Sequence, residues 1–339
     1  MIDADAVLSL HRELIEIPSL SHEEGPIADF VQARLARSGA KVIRLGDNVI
    51  AHGGKPPRLL LNSHLDTVPP TSAWTRPPHQ VTTEDGKVYG LGSNDTKGSV
   101  AAMISAFEHL FAAGHQEVAI MLVPEEETGG KGTELAWPHV RDELGWWPEA
   151  ILVGEPTEMQ IGASQSGMLV LELVAKGVAS HAANATSNPI FDLAADLLRV
   201  KELGGQPTVL TGATARNQVP AEAKAVIDFR TRPGTSHDAL IERLETELTS
   251  EVGVRSRRLG PFACPDGSPL IDAIQRALPG AKPFHSNTMS DLVFFQGCHA
   301  VKIGPGLSAR SHTSDEFIFA DEVVAGAVGY LAIAKEVLG

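Results

Sequence analysis

The chain places potential metal ligands directly after short apolar runs. His64 and Asp66 follow the run at residues 59–61, three glutamates at 125–127 follow the run at 118–123, and Glu155 follows the run at 151–153. Apolar runs of this length predict buried parallel strands, and ligand sites of open α/β sheets gather at the carboxyl ends of such strands. Carboxylates and imidazoles at one edge need a counter-charge, which a divalent metal ion supplies. The pattern predicts a metallohydrolase.

Each member of this set also has a plainer interpretation when it is taken alone. His64 and Asp66 point the same way in an extended segment, which also suits a hydrogen bond at a strand end without metal. Asp95 stands in a Gly-rich turn before a predicted helix, so it could be the N-cap or a ligand that bridges two metal ions. The acidic run could be a solvated loop, and His312 could be an ordinary loop histidine. The set is more specific than any one member.

The composition excludes several classes of protein. Acidic residues outnumber basic ones by 42 to 28, giving a formal net charge of −14, which disfavours nucleic-acid binding because phosphates are repelled. No apolar stretch approaches the ~18 residues of a membrane span, and the amino terminus lacks a signal-peptide pattern, so the sequence predicts a cytoplasmic protein. Cys264 and Cys298 form no CxxC pair, which predicts free structural cysteines.

The elements that must position the candidate ligands form an alternating pattern. Helices are predicted at residues 4–17 and 26–38 and after Asp95, and strands are predicted at 41–45, 49–52, 58–62, 118–124 and 150–154. This order predicts an α/β fold with a mostly parallel sheet flanked by helices.

The pattern changes near residue 166. The predicted elements are then a strand at 168–175, a helix at 189–202, strands at 208–215 and 224–232, a helix at 236–252 and a strand at 254–259. That order is the split-βαβ pattern of a small two-layer α+β domain. Later elements return to the α/β pattern, with a helix at 268–277, a strand at 300–303 and a helix at 320–338. We therefore expect a metal-binding catalytic domain at 1–165 and 262–339, with a smaller domain inserted at 166–261.

Five motifs in order resemble those of the co-catalytic zinc amidohydrolases, a family that includes acetylornithine deacetylase, succinyl-diaminopimelate desuccinylase, aminoacylase and glutamate carboxypeptidase. The motifs are SHLDTVP at 63–69, YGLGSNDTKG at 89–98, PEEETG at 124–129, GEPT at 154–157 and HTSDE at 312–316. The resemblance covers nearly the whole chain, including the inserted domain.

The resemblance implies a role for each candidate residue. One zinc ion would be held by His64 and Glu155 and a second by Glu127 and His312, with Asp95 bridging them. Asp66 would orient His64, and Glu126 would be the general base. Cobalt or manganese is also compatible with carboxylate-rich sites.

The inserted domain resembles the dimerisation lid of the family. The segment KGVASH at 176–181 resembles one whose histidine reaches the active site of the partner subunit, which implies a homodimer in which His181 helps to stabilise the oxyanion. The segments at 217–220 and 228–230 also resemble the lid, and they make Asn217 and Arg230 candidates for substrate binding. Arg216, Lys302 and Arg310 are further candidates for a clamp on a substrate carboxylate.

The resulting prediction is a zinc-dependent deacylase that hydrolyses the amide bond of an N-acyl amino acid, first of the acetylornithine deacetylase type in arginine biosynthesis. The alternatives are a succinyl-diaminopimelate desuccinylase or acyl-lysine deacylase of lysine biosynthesis, and a dipeptidase or carboxypeptidase. A non-catalytic metal-dependent binding protein is an alternative from another class, but such a relative would be expected to lack Glu126. A phosphoesterase would need a cationic phosphate clamp, and no such motif is present.

Overall fold

The computed structural model describes residues 2–212 and 215–339. The helices within them are α1 Ala4–Glu16, α2 Gly25–Arg37, α3 Lys97–Ala112, α4 Lys131–Pro138, α5 Pro189–Glu202, α6 His237–Glu247, α7 Pro269–Ala277 and α8 Ala320–Leu338. The strands are β1 Lys41–Leu45, β2 Asn48–His52, β3 Leu59–His64, β4 Thr82–Glu84, β5 Lys87–Tyr89, β6 Val118–Val123, β7 Ala150–Val153, β8 Ile161–Gln165, β9 Gly167–Lys176, β10 Ser180–His181, β11 Gln206–Thr211, β12 Gln218–Val219, β13 Glu222–Thr231, β14 Glu251–Leu259, β15 Phe262–Ala263, β16 Pro283–Ser286, β17 Ala300–Lys302 and β18 Phe317–Phe319.

The chain divides into two compact units. The larger comprises Met1–Ser164, Cys264–His285 and Ser290–Gly339, and the smaller comprises Gln165–Ala263 and Ser286–Met289. The larger unit contains the main sheet, in the order β1-β2-β6-β3-β7-β17-β8, with β16 also paired to β8. The pairs β3–β6, β3–β7 and β7–β17 are parallel, which confirms the predicted α/β fold with a mainly parallel central sheet.

The parallel strands lie in the core of the larger unit. Every residue of β3, β6 and β7 is buried, as expected for strands that helices cover on both faces. Helix α3 packs against α1 and α8, and it presents Val100, Met103 and Phe107 to the core. The carboxyl ends of these strands are therefore held on a rigid base.

The smaller unit is an antiparallel sheet with two helices. Its strand order is β11-β13-β9-β14, and the element order β9-α5-β11-β13-α6-β14 is the predicted split-βαβ pattern. Residues alternate between buried and partly exposed along β9 and β13, because successive side chains point to opposite faces. The buried face joins α5 and α6 in a core that includes Leu171, Leu193, Ile227, Phe229 and Leu244.

Two elements of this unit end earlier than predicted. The helix predicted at 236–252 is wrong at its end, since α6 ends at Glu247 and β14 begins at Glu251. The reason is Asp196 of α5, whose carboxylate accepts hydrogen bonds from the main-chain N–H groups of Thr249 and Ser250 at 3.1 and 2.8 Å. The strand predicted at 208–215 ends at Thr211, and positions 213 and 214 of that prediction lie outside the described residues.

Two composition-based expectations bear on the described residues. Cys264 and Cys298 are both buried and free, which confirms their predicted state. Among the helices of the described chain, we find none with the length and apolar character needed to cross a membrane.

Candidate metal centre

Three predicted ligands follow neighbouring strands at one edge of the sheet. His64 ends β3, whereas Glu127 and Glu155 follow β6 and β7 after short connections. Strand β3 lies between β6 and β7 and is parallel to both, with His64 opposite Val123. Neighbouring strands lie ~4.8 Å apart, so these three residues lie at adjacent strand ends on the same edge of the sheet.

Asp95 lies between the two histidines of the predicted ligand set. Its Oδ1 is 3.3 Å from Nε2 of His64, and its Oδ2 is 3.8 Å from Nε2 of His312. A carboxylate that directs one oxygen to each histidine is suited to join two cations ~3.5–4 Å apart. The alternative interpretation of Asp95 as a helix N-cap is wrong, because Thr96 occupies the N-cap of α3.

The donor atoms converge in two groups among the described residues. Ligand atoms of Asp95, Glu127 and His312 all lie within 4.8 Å of one another, and so do those of His64, Glu126 and Glu127. Nε2 of His312 lies 2.9 Å from Oε1 of Glu127. Imidazole nitrogen and carboxylate oxygen are donors that zinc accepts, and cobalt and manganese accept them too. The donor set therefore fits divalent metal ions.

The pKa values indicate that the folded site needs positive charge. Burial raises the pKa of Glu155 to about 8, and the carboxylates of Asp95 and Glu127 add to the rise. Burial also raises the pKa of Glu126 well above its ordinary value, with Glu155 among the carboxylates that contribute. The hydrogen bond to Glu127 raises the pKa of His312 to about 9. Without a metal ion, these side chains therefore hold protons more tightly than usual, and the protons supply the positive charge that a metal ion would supply. This is expected of metal ligands.

Asp66 holds both His64 and the acidic loop. Nδ1 of His64 lies 3.0 Å from the main-chain oxygen of Asp66 and 3.4 Å from its Oδ1. The main-chain N–H groups of Glu126 and Glu127 donate to Oδ1 and Oδ2 of Asp66, each at 3.1 Å. Burial disfavours the ionised form of Asp66, but its bond to His64 and the other donors outweigh burial and lower its pKa. The carboxylate is therefore placed to fix both the imidazole and the loop.

Two residues of the centre have left-handed backbone conformations. Glu125 has a φ of 57° and His312 a φ of 59°, a region that costs a residue other than glycine ~1–3 kcal/mol. Main-chain N–H of Glu125 donates to Oε1 of the buried Glu24 at 3.0 Å. This bond helps to fix at Glu125 a backbone conformation that the chain alone would not favour.

Glu316 is a functional candidate that the sequence reasoning did not single out. Its side chain is only 2% exposed, and it accepts hydrogen bonds from the main-chain N–H groups of Gly92, Asn94 and Asp95 at 2.9, 2.9 and 2.8 Å. Burial raises its pKa to about 8, while the three amides oppose the rise. Glu316 ties the turn that carries Asp95 to the segment that carries His312. Its place at the end of the HTSDE motif was the available signal.

Two further buried charges lie near the centre. Lys302 on β17 is 3% exposed, and burial lowers its pKa while Glu155 and Glu126 oppose this. Burial raises the pKa of Asp291 to about 7, and this carboxylate contributes to the raised pKa of Glu126. Lys302 is thus the clamp candidate whose positive charge interacts with the carboxylates of Glu155 and Glu126.

The other clamp candidates have different surroundings. Nε of Arg230 lies 2.9 Å from Oδ1 of Asp228, and Nη1 of Arg310 lies 2.6 Å from Oε2 of Glu322. Arg216 is exposed. The two paired arginines would have to share or exchange partners to bind a substrate carboxylate.

Within the smaller unit, His181 and Asn217 are neighbours, and Arg230 lies on another strand. Strand β10 pairs with β12, and the main-chain N–H of Ala182 donates to the oxygen of Asn217 at 2.9 Å. Arg230 lies eight residues after Glu222, the first residue of β13, and this corresponds to about 26 Å along an extended strand. Arg230 therefore lies at the other end of β13 from Glu222, whereas His181 lies in the separate two-stranded sheet of β10 and β12.

Comparison with known proteins gives a family match and a similar sequence that spans the chain. The model of peptidase family M20/M25/M40 matches residues 60–336. Over 98% of both chains, the sequence is 30% identical to a succinyl-diaminopimelate desuccinylase of Halorhodospira halophila.

Solved structures share the fold. The aminopeptidase PepT of Bacillus cereus superposes with a TM-score of 0.82 over 100% of both chains, at 18% identity. The YXEP protein of Bacillus subtilis, described as a dinuclear metal binding peptidase from the M20 family, gives a TM-score of 0.74 over 98% of both chains at 16% identity.

Proposed function

Since this chain belongs to the peptidase family M20/M25/M40, we propose that it removes the acyl group of an N-acyl amino acid, with two zinc ions bound at the carboxyl edge of its sheet. The protein is a metal-dependent enzyme that hydrolyses amide bonds. The observation that carries the finer proposal is the Asp95 carboxylate, which directs one oxygen to His64 and the other to His312.

Each zinc ion would have its own protein ligands. His64 and Glu155 would hold one, Glu127 and His312 would hold the other, and Asp95 would bridge them. When bound, such ions polarise an amide carbonyl and lower the pKa of a bound water. The convergence of donor atoms of Asp95, Glu127 and His312 within 4.8 Å supports the second ion, and Oδ1 of Asp95 at 3.3 Å from His64 supports the first. The likeness to a B. subtilis protein described as dinuclear supports two ions.

Glu126 is the proposed general base. It lies in the same convergent group as His64 and Glu127, yet the ligand assignment does not need it. Burial and neighbouring carboxylates raise its pKa, and a base works best when its pKa is near the working pH. Glu126 would take a proton from the attacking water at its carboxylate and return that proton to the departing amine.

The preferred acyl group is succinyl. The desuccinylase of H. halophila matches along 98% of both chains at 30% identity, which supports a succinyl group. We therefore propose an N-succinyl amino acid as the first substrate to test, with N-acetylornithine second.

A homodimer is proposed through the smaller unit. Strand β11 is at the edge of its sheet, all six of its residues are exposed, and none of them is charged. The other edge strand, β14, carries Arg255 and Arg257, and charges of this kind protect an edge from pairing. Next to β11, helix α5 exposes Phe191 and Leu198 at 74% and 68%. An uncharged edge strand beside a helix with exposed apolar side chains fits the same surface of a second copy.

In that dimer His181 and Asn217 would serve the partner's active site. The likeness of the segment at 176–181 to the family's lid segment supports this role. His181 would then donate a hydrogen bond to the oxyanion, a contribution for which loss of one donor costs ~10²–10³ in rate.

The test is amine release by the zinc-loaded protein from N-succinyl-diaminopimelate, N-acetylornithine, N-acetylcitrulline and two dipeptides. The proposal expects the succinyl substrate to give the highest kcat/KM, and a dipeptide preference would contradict it. The dimer is tested by mixing His181→Ala with Glu126→Ala subunits. A heterodimer in which His181 acts across the interface regains activity at one of its two sites, whereas no recovery in a demonstrated heterodimer rejects that role.

A further inference from the structure

Asn94 links the turn that carries Asp95 to the loop that leads to His312. Its side chain is fully buried and forms hydrogen bonds through both of its polar atoms. Oδ1 accepts from the main-chain N–H of Leu307 at 3.0 Å, and Nδ2 donates to the main-chain oxygen of Leu307 at 3.2 Å. Nδ2 also donates to Oγ of Ser311 at 3.3 Å. The residue directly before one candidate metal ligand is therefore bonded to the residue directly before another.

The partners of the Asn94 amide determine its orientation. Leu307 offers this amide both an N–H donor and a carbonyl acceptor. A rotated amide would place its NH₂ group against the N–H of Leu307 and its oxygen against the carbonyl of Leu307, so both bonds would be lost. The NH₂ group therefore faces the oxygen of Leu307 and Oγ of Ser311, which makes the Ser311 hydroxyl the acceptor in the bond to Asn94.

The Ser311 hydroxyl connects Asn94 to the carboxylate of Asp95. A hydroxyl group has one hydrogen to donate and two lone pairs that accept. Because Ser311 accepts from Nδ2 of Asn94, its hydrogen remains for the Asp95 carboxylate, to which Ser311 is hydrogen-bonded. Oδ1 and Oδ2 of that carboxylate lie 3.3 and 3.8 Å from Nε2 of His64 and of His312, respectively. The carboxylate is thus also held by a group that is not a metal ligand.

Close packing limits movement of the Asn94 side chain. Gly306 has a φ of 87°, a left-handed conformation that favours glycine, and a Cβ at this position would overlap Oδ1 of Asn94. Leu307 also forms an isolated β-bridge with Thr157, two residues after Glu155. The loop at 306–307 is therefore bonded both to Asn94 and to the segment that carries Glu155.

A carboxylate that bridges two ions must direct one oxygen to each of them. The side-chain torsion next to an aspartate carboxylate is broad, so an unsupported carboxylate can rotate and bind one ion with both oxygens. A hydrogen bond to the carboxylate opposes that rotation, and groups that bond to metal ligands in this way typically change metal affinity by ~10–100-fold. Ser311, oriented by Asn94, supplies such a bond to Asp95.

We propose that Asn94 and Ser311 are positioning residues that hold the Asp95 carboxylate in the orientation that bridges two metal ions. Ser311 supplies the hydrogen bond, and Asn94 fixes both the Ser311 hydroxyl and the loop before His312. Loss of the hydroxyl frees the carboxylate to serve one ion, so the other ion binds more weakly. The inference rests on the two-ion centre of the proposed function, and it adds the residues that keep the two ions joined.

The experiment measures zinc binding by calorimetric titration of the metal-free full chain in Ser311→Ala, Asn94→Ala and Ser311→Thr. We expect Ser311→Ala and Asn94→Ala to lower the affinity for one of the two ions by about 10–100-fold. Ser311→Thr keeps a hydroxyl group and should bind both ions as the wild type does. Ser311→Ala leaves the bonds between Asn94 and Leu307 in place, so it decides the question even if Asn94→Ala does not fold.

A second readout and a matched control separate positioning from stability. Electron paramagnetic resonance of the protein loaded with Mn²⁺ alone reports whether two bound ions are magnetically coupled, and this coupling should be weaker in Ser311→Ala than in the wild type or Ser311→Thr. Asn48→Ala is the control, because Asn48 is also buried and its Nδ2 donates to the main-chain oxygen of Leu45 at 3.0 Å. It should unfold at lower urea and leave both metal readouts unchanged.

The outcomes separate the bridge from the activity. The proposal is overturned if Ser311→Ala keeps either the zinc affinities or the coupling of the wild type. An equal loss in Ser311→Thr would also overturn it, because the hydroxyl would then not be the group that matters. A wild-type protein that binds only one zinc ion refutes the two-ion centre together with this inference. A wild-type protein that binds two coupled ions but releases no amine from acyl amino acids refutes the proposed function alone.

Discussion

Replacing Glu316 by Gln tests whether one buried carboxylate positions the turn that carries Asp95. Its Oε1 accepts from the N–H groups of Asn94 and Asp95, and its Oε2 accepts from that of Gly92. A Gln side chain has one acceptor oxygen and an NH₂ group that cannot accept. In either orientation at least one buried N–H group loses its partner, and the remaining bonds lose an anionic acceptor.

The expected magnitude follows from these three bonds. A hydrogen bond to a charged group contributes ~1.5–3 kcal/mol, so the loss of one and the weakening of two should lower the free energy of unfolding by about 2–4 kcal/mol. Residues that orient metal ligands typically change metal affinity by ~10–100-fold. Because Glu316 sets the main chain at Asp95, we expect the loss of zinc affinity in Glu316→Gln to fall in that range.

The measurements are urea unfolding of the metal-free protein at pH 9, where Glu316 with its pKa of about 8 is ionised, and competition for zinc with a chelator. Asp196→Asn is a matched control, since Asp196 is also buried and accepts from the N–H groups of Thr249 and Ser250, far from the ligands in the sequence. Both variants should unfold at lower urea, and only Glu316→Gln should lose zinc affinity. The reasoning is refuted if Glu316→Gln binds zinc as the wild type does, or if both variants lose affinity equally.

Three further predictions concern the base, the pH and the sheet. Glu126→Gln should retain the metal content of the wild type by elemental analysis and lose ~10²–10⁴ in kcat, and loss of metal would make it a ligand instead. The raised pKa values of Glu155 (about 8) and His312 (about 9) mean that the folded metal-free chain holds more protons than the unfolded chain. Its melting temperature should therefore fall as the pH rises from about 5 to 9. Saturating zinc should largely abolish this fall, and a flat metal-free profile would contradict the prediction. Gly162→Ala would place a Cβ against Cγ of Lys302 and should cost ~1–3 kcal/mol in urea unfolding; wild-type stability of this variant would contradict the prediction.

The sequence alone predicts the position of a candidate ligand where that ligand directly follows a buried strand. Strands β3, β6 and β7 are recognisable as apolar runs, and their parallel pairing brings together the residues that follow them. For that reason the amino-acid pattern alone predicts that His64, Glu127 and Glu155 lie at one edge of the sheet. Asp95 is different, because its pattern suits both an N-cap and a ligand, and only the fold assigns the cap to Thr96.

Other features depend on contacts between distant segments and have no local pattern. The end of α6 is set by a carboxylate from α5, Asp196, so helix periodicity alone extended the element too far. Glu316 acts through three main-chain amides more than 200 residues earlier in the chain, and no spacing rule reports such bonds. Lys302 was named as a possible clamp, but its burial beside the acidic cluster followed only from the order of the strands.

The charges of the centre constrain the number of ions it can hold. Asp66, Asp95, Glu126, Glu127 and Glu155 carry five negative charges when all are ionised, and Lys302 adds one positive charge, while histidines bind metal in their neutral form. One divalent ion would leave this group with a net charge of −2, which would repel an acyl amino acid and its carboxylate. Two divalent ions would bring the total to zero, which removes this repulsion and places cations where negative charge develops on the amide oxygen. The proposed two-ion centre is therefore the one whose charge matches the proposed chemistry.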